Sequence, residues 1–101
     1  MAAERTYPGI DKDRESGMTD IARIIRDAWI FGLLDEGETC AGWSLRRIQA
    51  LYDKVFQAWE PYGHLVSSLP AELRQRHDRI SAEALQRAQA AGWTPPMETD
   101  D

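Results

Sequence analysis

The sequence predicts an all-α fold, a small antiparallel bundle of three main helices plus a short extra one. Three observations support this. Apolar residues recur at three- and four-residue steps in three long segments, no stretch alternates with the period of two that strands need, and Gly/Pro-rich breaks separate the segments. A chain of 101 residues with 43% hydrophobic and 29% charged residues is enough for one soluble core. It contains no apolar run near the roughly 20 residues that span a bilayer.

Residues 1–18 mix charges with Pro8, Gly9 and Gly17 and lack a sustained hydrophobic period. They are expected to form a flexible leader, with only Tyr7 and Ile10 docking on the body. The helical domain is expected over residues 19–93. Thr19 suits an N-cap, and Asp20 places negative charge in the first turn. Ile21, Ile24, Ile25, Ala28, Trp29 and Gly32 share one face, with Arg23, Arg26 and Asp27 on the other, so the first helix should run from Asp20 to Leu34. Its end, Trp29-Ile30-Phe31-Gly32-Leu33-Leu34, has no polar side chain. On a helix such a run is apolar all round, more than one core-facing stripe can use. Either it is sandwiched between elements or part of it serves a partner.

A loop follows from Asp35 to Trp43, and Ser44 caps the second helix. Leu45, Ile48, Leu51, Tyr52, Val55, Phe56 and Trp59 give that helix a wide apolar face. Pro61 disfavours helical geometry at Glu60 and should end or kink it there. Leu65, Val66 and Leu69 form the short bridge. Ser68 and Pro70 open the third helix, whose stripe is Leu73, His77, Ile80, Ala84, Ala88 and Ala91. Gly92 and Trp93 read as its C-terminal cap, and Pro95-Pro96 as its stop. Residues 94–101 should be a disordered acidic tail.

The net charge of −5 is unevenly spread. From Thr19 to Trp93 ten acids nearly balance nine bases, while the last eight residues hold three acids and no base. A uniformly acidic, DNA-like body is therefore disfavoured. The local acidic patch is Asp35, Glu36 and Glu38. Cys40 stands alone, so no intrachain disulfide can form, and a cytoplasmic location is the expectation.

No motif announces a reaction. Cys40, His64 and His77 match no zinc spacing, the glycines near Asp35–Glu38 frame carboxylates that repel phosphate, and no cofactor is implied. Cys40 with a distant histidine is the enzymatic alternative, without a local signature. Arg46, Arg47 and Gln49 at the start of the second helix, with the third-helix arginines, allow a nucleic-acid-binding regulator. A helix-turn-helix, however, has a three- or four-residue turn, and this loop is nine residues with three carboxylates. Direct nucleic-acid binding is therefore disfavoured.

The remaining expectation is a non-enzymatic interaction module. Four tryptophans, Trp29, Trp43, Trp59 and Trp93, lie near predicted helix ends, where they either plug the core or anchor an interface. Trp43, in the loop, is the expected anchor. Asp35, Glu36, Glu38, Trp43, Arg46 and Arg47 make up the candidate partner-binding set, suited to a protein with a basic surface. In size, helical content, acidity and lack of catalytic apparatus the chain resembles small helical inhibitors carried by phages and mobile elements, of the anti-CRISPR type. That resemblance implies a stoichiometric blocker of a CRISPR surveillance complex, or of another nucleic-acid-handling protein, competing with DNA at a basic site.

Overall fold

In the computed structural model, which describes residues 5–95, three helices form the body: α1 (Asp20–Ile30), α2 (Leu45–Trp59) and α3 (Ala71–Ala90). Short 3-10 turns lie at Ile10–Lys12, Glu60–Tyr62 and Val66–Ser68. Among the described residues there is no strand, only an isolated antiparallel bridge between Thr6 and Ser44. The all-α, three-helix architecture read from the periodicity is thus the observed one.

α1 is the central helix. α2 and α3 each pack chiefly on it rather than on one another. Ile25, Ala28 and Ile30 of α1 are sealed, and Ile48, Leu51 and Val55 of α2 and Ile80 of α3 close on them. Each buried aliphatic side chain contributes about 1.5–3 kcal/mol of transfer free energy. Ala84 and Ala88 are also buried, so α3 presents small side chains where its second half meets the body. One consequence of the arrangement is a groove between α2 and α3 with α1 as its floor.

The helix starts follow the sequence. Thr19 Oγ1 accepts the Ala22 N–H at 3.2 Å and Ser44 Oγ accepts the Arg47 N–H at 3.1 Å, each satisfying a donor left free at a first turn. α2 stops at Trp59 and the chain continues as a 3-10 turn, but Glu60 keeps helical geometry (φ −54°, ψ −44°), so Pro61 interrupts the helix through its missing N–H and not by displacing the residue before it. α3 ends as expected. The Trp93 N–H reaches the Ala88 carbonyl at 2.9 Å and the Gly92 N–H reaches Gln89 at 3.0 Å, the paired bonds of a Schellman cap.

α1 is shorter than expected, ending at Ile30 and not Leu34. The same cap ends it. Gly32 takes φ +71°, the Leu33 N–H bonds the Ala28 carbonyl at 2.8 Å, and the Gly32 N–H bonds Trp29 at 3.3 Å. The six-residue apolar run is thereby divided. Trp29 and Ile30 are core, Phe31 and Leu34 are half-buried, and only Leu33 is an exposed large side chain. Most of the run is hidden by the bundle itself.

The segment expected to be a flexible leader is, over residues 5–18, folded onto the body. The Tyr7 N–H donates to Trp43 O at 2.9 Å, the Gly42 N–H to Tyr7 O at 2.8 Å, and the Ile10 N–H to Thr39 O at 3.1 Å. Gly9 makes this pairing possible: its φ is +100°, and a Cβ there would stand 3.0 Å from the Ala41 methyl. Asp13 is the clasp. Its buried carboxylate accepts from Tyr7 OH (2.6 Å), the Glu15 N–H (2.8 Å), the Gly17 N–H (3.2 Å) and the Thr19 hydroxyl. Burial pushes this carboxyl up, but the Thr19, Tyr7, Glu15 and Gly17 bonds together outweigh that and hold it below the ordinary carboxylate range. The same Thr19 caps α1, so the leader and the first helix are tied through one side chain. Tyr7 and Ile10 do dock, as expected. Residues 1–4, and 96–101 of the expected acidic tail, lie outside the described residues.

Candidate functional site

The six residues singled out in the sequence share the α1–α2 connection and the first turn of α2, but most are committed within the chain. Glu36 holds the Arg79 guanidinium through both oxygens, at 2.7 and 2.9 Å, clipping the loop to α3. The Arg79 hydrogen bonds hold the Glu36 carboxyl below its ordinary range. The Glu38 carboxylate accepts the Cys40 N–H at 3.0 Å, and its carbonyl accepts the Trp29 indole N–H at 3.1 Å. Trp43 is half-buried against the core, with the Arg47 guanidinium 3.6 Å from its ring centroid. It is a covered ring, not the bare anchor expected of a loop tryptophan. The Asp35 and Arg46 side chains are exposed, and among the described residues neither forms an ion pair. The acidic patch is therefore partly neutralised by its own fold.

Leu33 and Leu45 expose apolar surface in this region, but the exposed aromatic rings lie elsewhere. Tyr52 and Phe56 are 42% and 52% exposed, and Leu65 is 56% exposed. Tyr52 and Phe56 are one turn apart on α2, and α2 carries them on the flank of its inward stripe Ile48–Leu51–Val55. They stand at the groove between α2 and α3, which widens into a cavity of about 440 Å³. α1 contributes Arg23, Ile24, Arg26 and Asp27 to its wall, α2 adds Tyr52, Val55, Phe56 and Trp59, and His64, Val66, His77 and Ser81 complete it.

The aromatic wall is braced from behind. Phe31 meets Trp59 edge-to-face at 5.1 Å and stacks on Tyr62 at 6.2 Å, and His64 lies against Phe56 at 4.5 Å. His64 is held there in a left-handed backbone conformation, φ +59°, directly after Gly63 at φ +61°. The 3-10 turn through Pro61 and the left-handed Gly63-His64 pair thus bring His64 back to α2.

Asp27 is the acidic residue of the floor, beside Arg23 and Arg26 of the same helix. Sequence periodicity placed it on the outward side of α1, yet it is half-buried, and its Oδ2 accepts the Trp59 indole N–H at 3.2 Å. It lies three residues after Ile24 and four before Phe31, on the face that α2 and α3 leave between them. Burial raises its pKa, while the Trp59 hydrogen bond and the nearby Arg23, His77 and Arg26 pull the other way without prevailing. The Arg26 guanidinium donates to the Gly17 carbonyl and forms no ion pair with Asp27 among the described residues, although its charge still acts on that carboxylate. Arg23 is exposed, and no ion pair to Asp27 forms. His77, on the stripe expected of α3, is half-buried on the opposite wall with Nδ1 3.0 Å from Asp78.

Cys40 does not contribute chemistry to this cavity. It is fully buried, and burial with the neighbouring Glu38 pushes its thiol up to about 11, so at neutral pH it is protonated and not a nucleophile. Among the described residues no three His, Cys, Asp or Glu side chains gather as a metal site would require. None of the described helices is long and apolar enough to cross a membrane. No known protein family, curated protein or solved structure matches this chain.

Proposed function

We propose that the chain is a non-enzymatic protein-binding module whose docking face is the α2–α3 groove. One observation carries this: Tyr52 and Phe56, 42% and 52% exposed, stand in the wall of a cavity of about 440 Å³ between α2 and α3, and Leu65 is exposed in the chain between the lining residues His64 and Val66. Interface energy concentrates in a few aromatic and arginine anchors seated in desolvated pockets, with a charged rim setting orientation and encounter rate. The groove offers such a pocket, and Asp35, Glu36 and Glu38 provide acidic character elsewhere on the surface. An apolar or aromatic anchor suits the groove, and a partner with a basic surface suits the acidic loop. Stoichiometric blocking of a nucleic-acid-binding surface, as the anti-CRISPR resemblance implies, is the finer form of this proposal.

The test compares variants against an identified partner. Phe56→Ala should weaken binding by about 2 kcal/mol or more while leaving the melting temperature within about 2 °C of the parent. Arg46→Ala should change affinity little. The opposite pattern, with Phe56→Ala silent and Asp35 or Arg46 variants damaging, would move the interface to the α1–α2 loop and refute the proposal.

A further inference from the structure

We infer that the outer stripe of α2 pairs with the same stripe of a second copy of this chain, in an antiparallel homodimer where Leu45 meets Phe56 and Arg46 meets Asp53 of the other copy. The pairing goes beyond the docking of a different protein and does not depend on it. Tyr52 and Phe56 serve both, so the two states exclude each other. α2 turns Ile48, Leu51 and Val55 into the core, and a second apolar line stays in solvent: Leu45, Tyr52 and Phe56 are 41%, 42% and 52% exposed. At about 100° per residue these three lie within about 40° of one another on the helix. Leu45 and Tyr52 are seven residues apart, as are Gln49 and Phe56, and the second pair is offset from the first by four. That is the alternating three- and four-residue spacing of a coiled-coil seam, sustained over two heptads.

The charges beside the seam select the occupant. Arg46 and Asp53, again seven residues apart, hold its solvent flank, whereas Ile48 and Val55 on the opposite flank are buried in the chain's own core. Both charged residues are exposed, and among the described residues neither forms an ion pair. Asp53 accepts only the Gln49 amide, at 3.3 Å. When two such helices run antiparallel about a two-fold axis, Phe56 packs on Leu45 of the second copy, Gln49 packs on its Tyr52, and the two solvent flanks face each other. Arg46 then stands opposite Asp53 of the second copy, and Asp53 opposite its Arg46. A parallel pair sets each solvent flank against the other copy's Ile48 and Val55 and leaves all four charges unmatched. A seam carried by one 15-residue helix buries less than the roughly 1,200 Å² of a stable interface, so the dimer forms only at high concentration.

The experiment is sedimentation equilibrium of the full chain in low salt, over concentrations from about 10 to about 500 µM. A monomer–dimer equilibrium is expected, with a dissociation constant on the order of 100 µM that rises with salt. Arg46→Asp and Asp53→Arg each place like charges opposite one another twice per dimer, and each should weaken association about tenfold or more. The double variant R46D/D53R should return to within about threefold of the parent, since the exchange recreates both pairs. All three changes are on the surface, and circular dichroism should show the parent's helix content. A chain that stays monomeric at about 500 µM would overturn the inference. A dimer indifferent to the single reversals, or a double variant without recovery, would place the contact on another face and overturn it as well. A monomeric chain in which Phe56→Ala still weakens the complex with another protein would remove self-pairing and keep the docking groove. Charge-exchange recovery with Phe56→Ala harmless to that complex would do the reverse.

Discussion

Replacing Asp13 by alanine tests how firmly the N-terminal segment belongs to the fold. The carboxylate receives four hydrogen bonds, from Tyr7, Glu15, Gly17 and Thr19, and the residue is 9% exposed. Hydrogen bonds to a charged group contribute about 1.5–3 kcal/mol each, and a buried donor left without a partner costs about 1–3 kcal/mol. The Tyr7 hydroxyl and the Gly17 amide are the buried donors, whereas Glu15 and Thr19 are nearer to water. Counting the two buried donors, and allowing for non-additivity, Asp13→Ala should destabilise by about 3 kcal/mol. For a domain of this size that lowers the melting temperature by about 12 °C or more. Thermal unfolding followed by circular dichroism at pH 7 measures it. The pH dependence gives a second handle. The folded carboxyl lies below its ordinary value of 3.8, so its contribution is present above that pH and is lost as pH falls through the folded value. The parent should therefore lose more stability than the variant on acidification from pH 5 to 2. A change below about 2 °C at pH 7, with unchanged acid sensitivity, would show that residues 5–18 are not part of the cooperative unit.

Two further substitutions and one labelling experiment probe the rest of the fold. Trp59→Ala removes the edge-to-face contact with Phe31 and the donor to Asp27, and should cost about 3 kcal/mol in denaturant unfolding. A loss under about 1 kcal/mol would mean that the aromatic wall is not structural. Gly32→Ala meets no steric obstacle but forces alanine to φ +71°, so about 1 kcal/mol and about 4–8 °C should be lost. A neutral result would contradict the α1 cap. Cys40 should stay unmodified by iodoacetamide at pH 7 until the protein unfolds. Rapid labelling of the native chain would contradict both its burial and its raised pKa.

What the sequence conveyed, and what it concealed, follows from the physics of each element. Helix starts were legible because Thr19 and Ser44 are side-chain caps with a local signature. The end of α3 was legible because Gly92-Trp93 stands against a polar helix. The end of α1 uses the same glycine–apolar pair, Gly32-Leu33, yet there it is embedded in a continuous hydrophobic run that imitates further helix. The leader was misjudged because its anchoring is polar: Asp13 before Ser16-Gly17 has the chemistry of an Asx turn, which no hydrophobic period reveals. Asp27 was placed outside because a helix wheel knows nothing of the groove that two neighbours leave open. The spacing Ile24–Asp27–Phe31 was the available signal. The acidic trio is contiguous in sequence, but the partnership of Glu36 with Arg79 spans 43 residues and is invisible to local pattern.

Photo-crosslinking in the source cell tests the docking face most directly. A benzoylphenylalanine placed at Tyr52, Phe56 or Leu65 should give the same discrete protein adduct, and one placed at Glu72 or Gln89, also exposed on α3, should give none. An adduct formed only from probes at Asp35 or Arg46, or equally from every position, would contradict the assignment of the α2–α3 groove as the binding face.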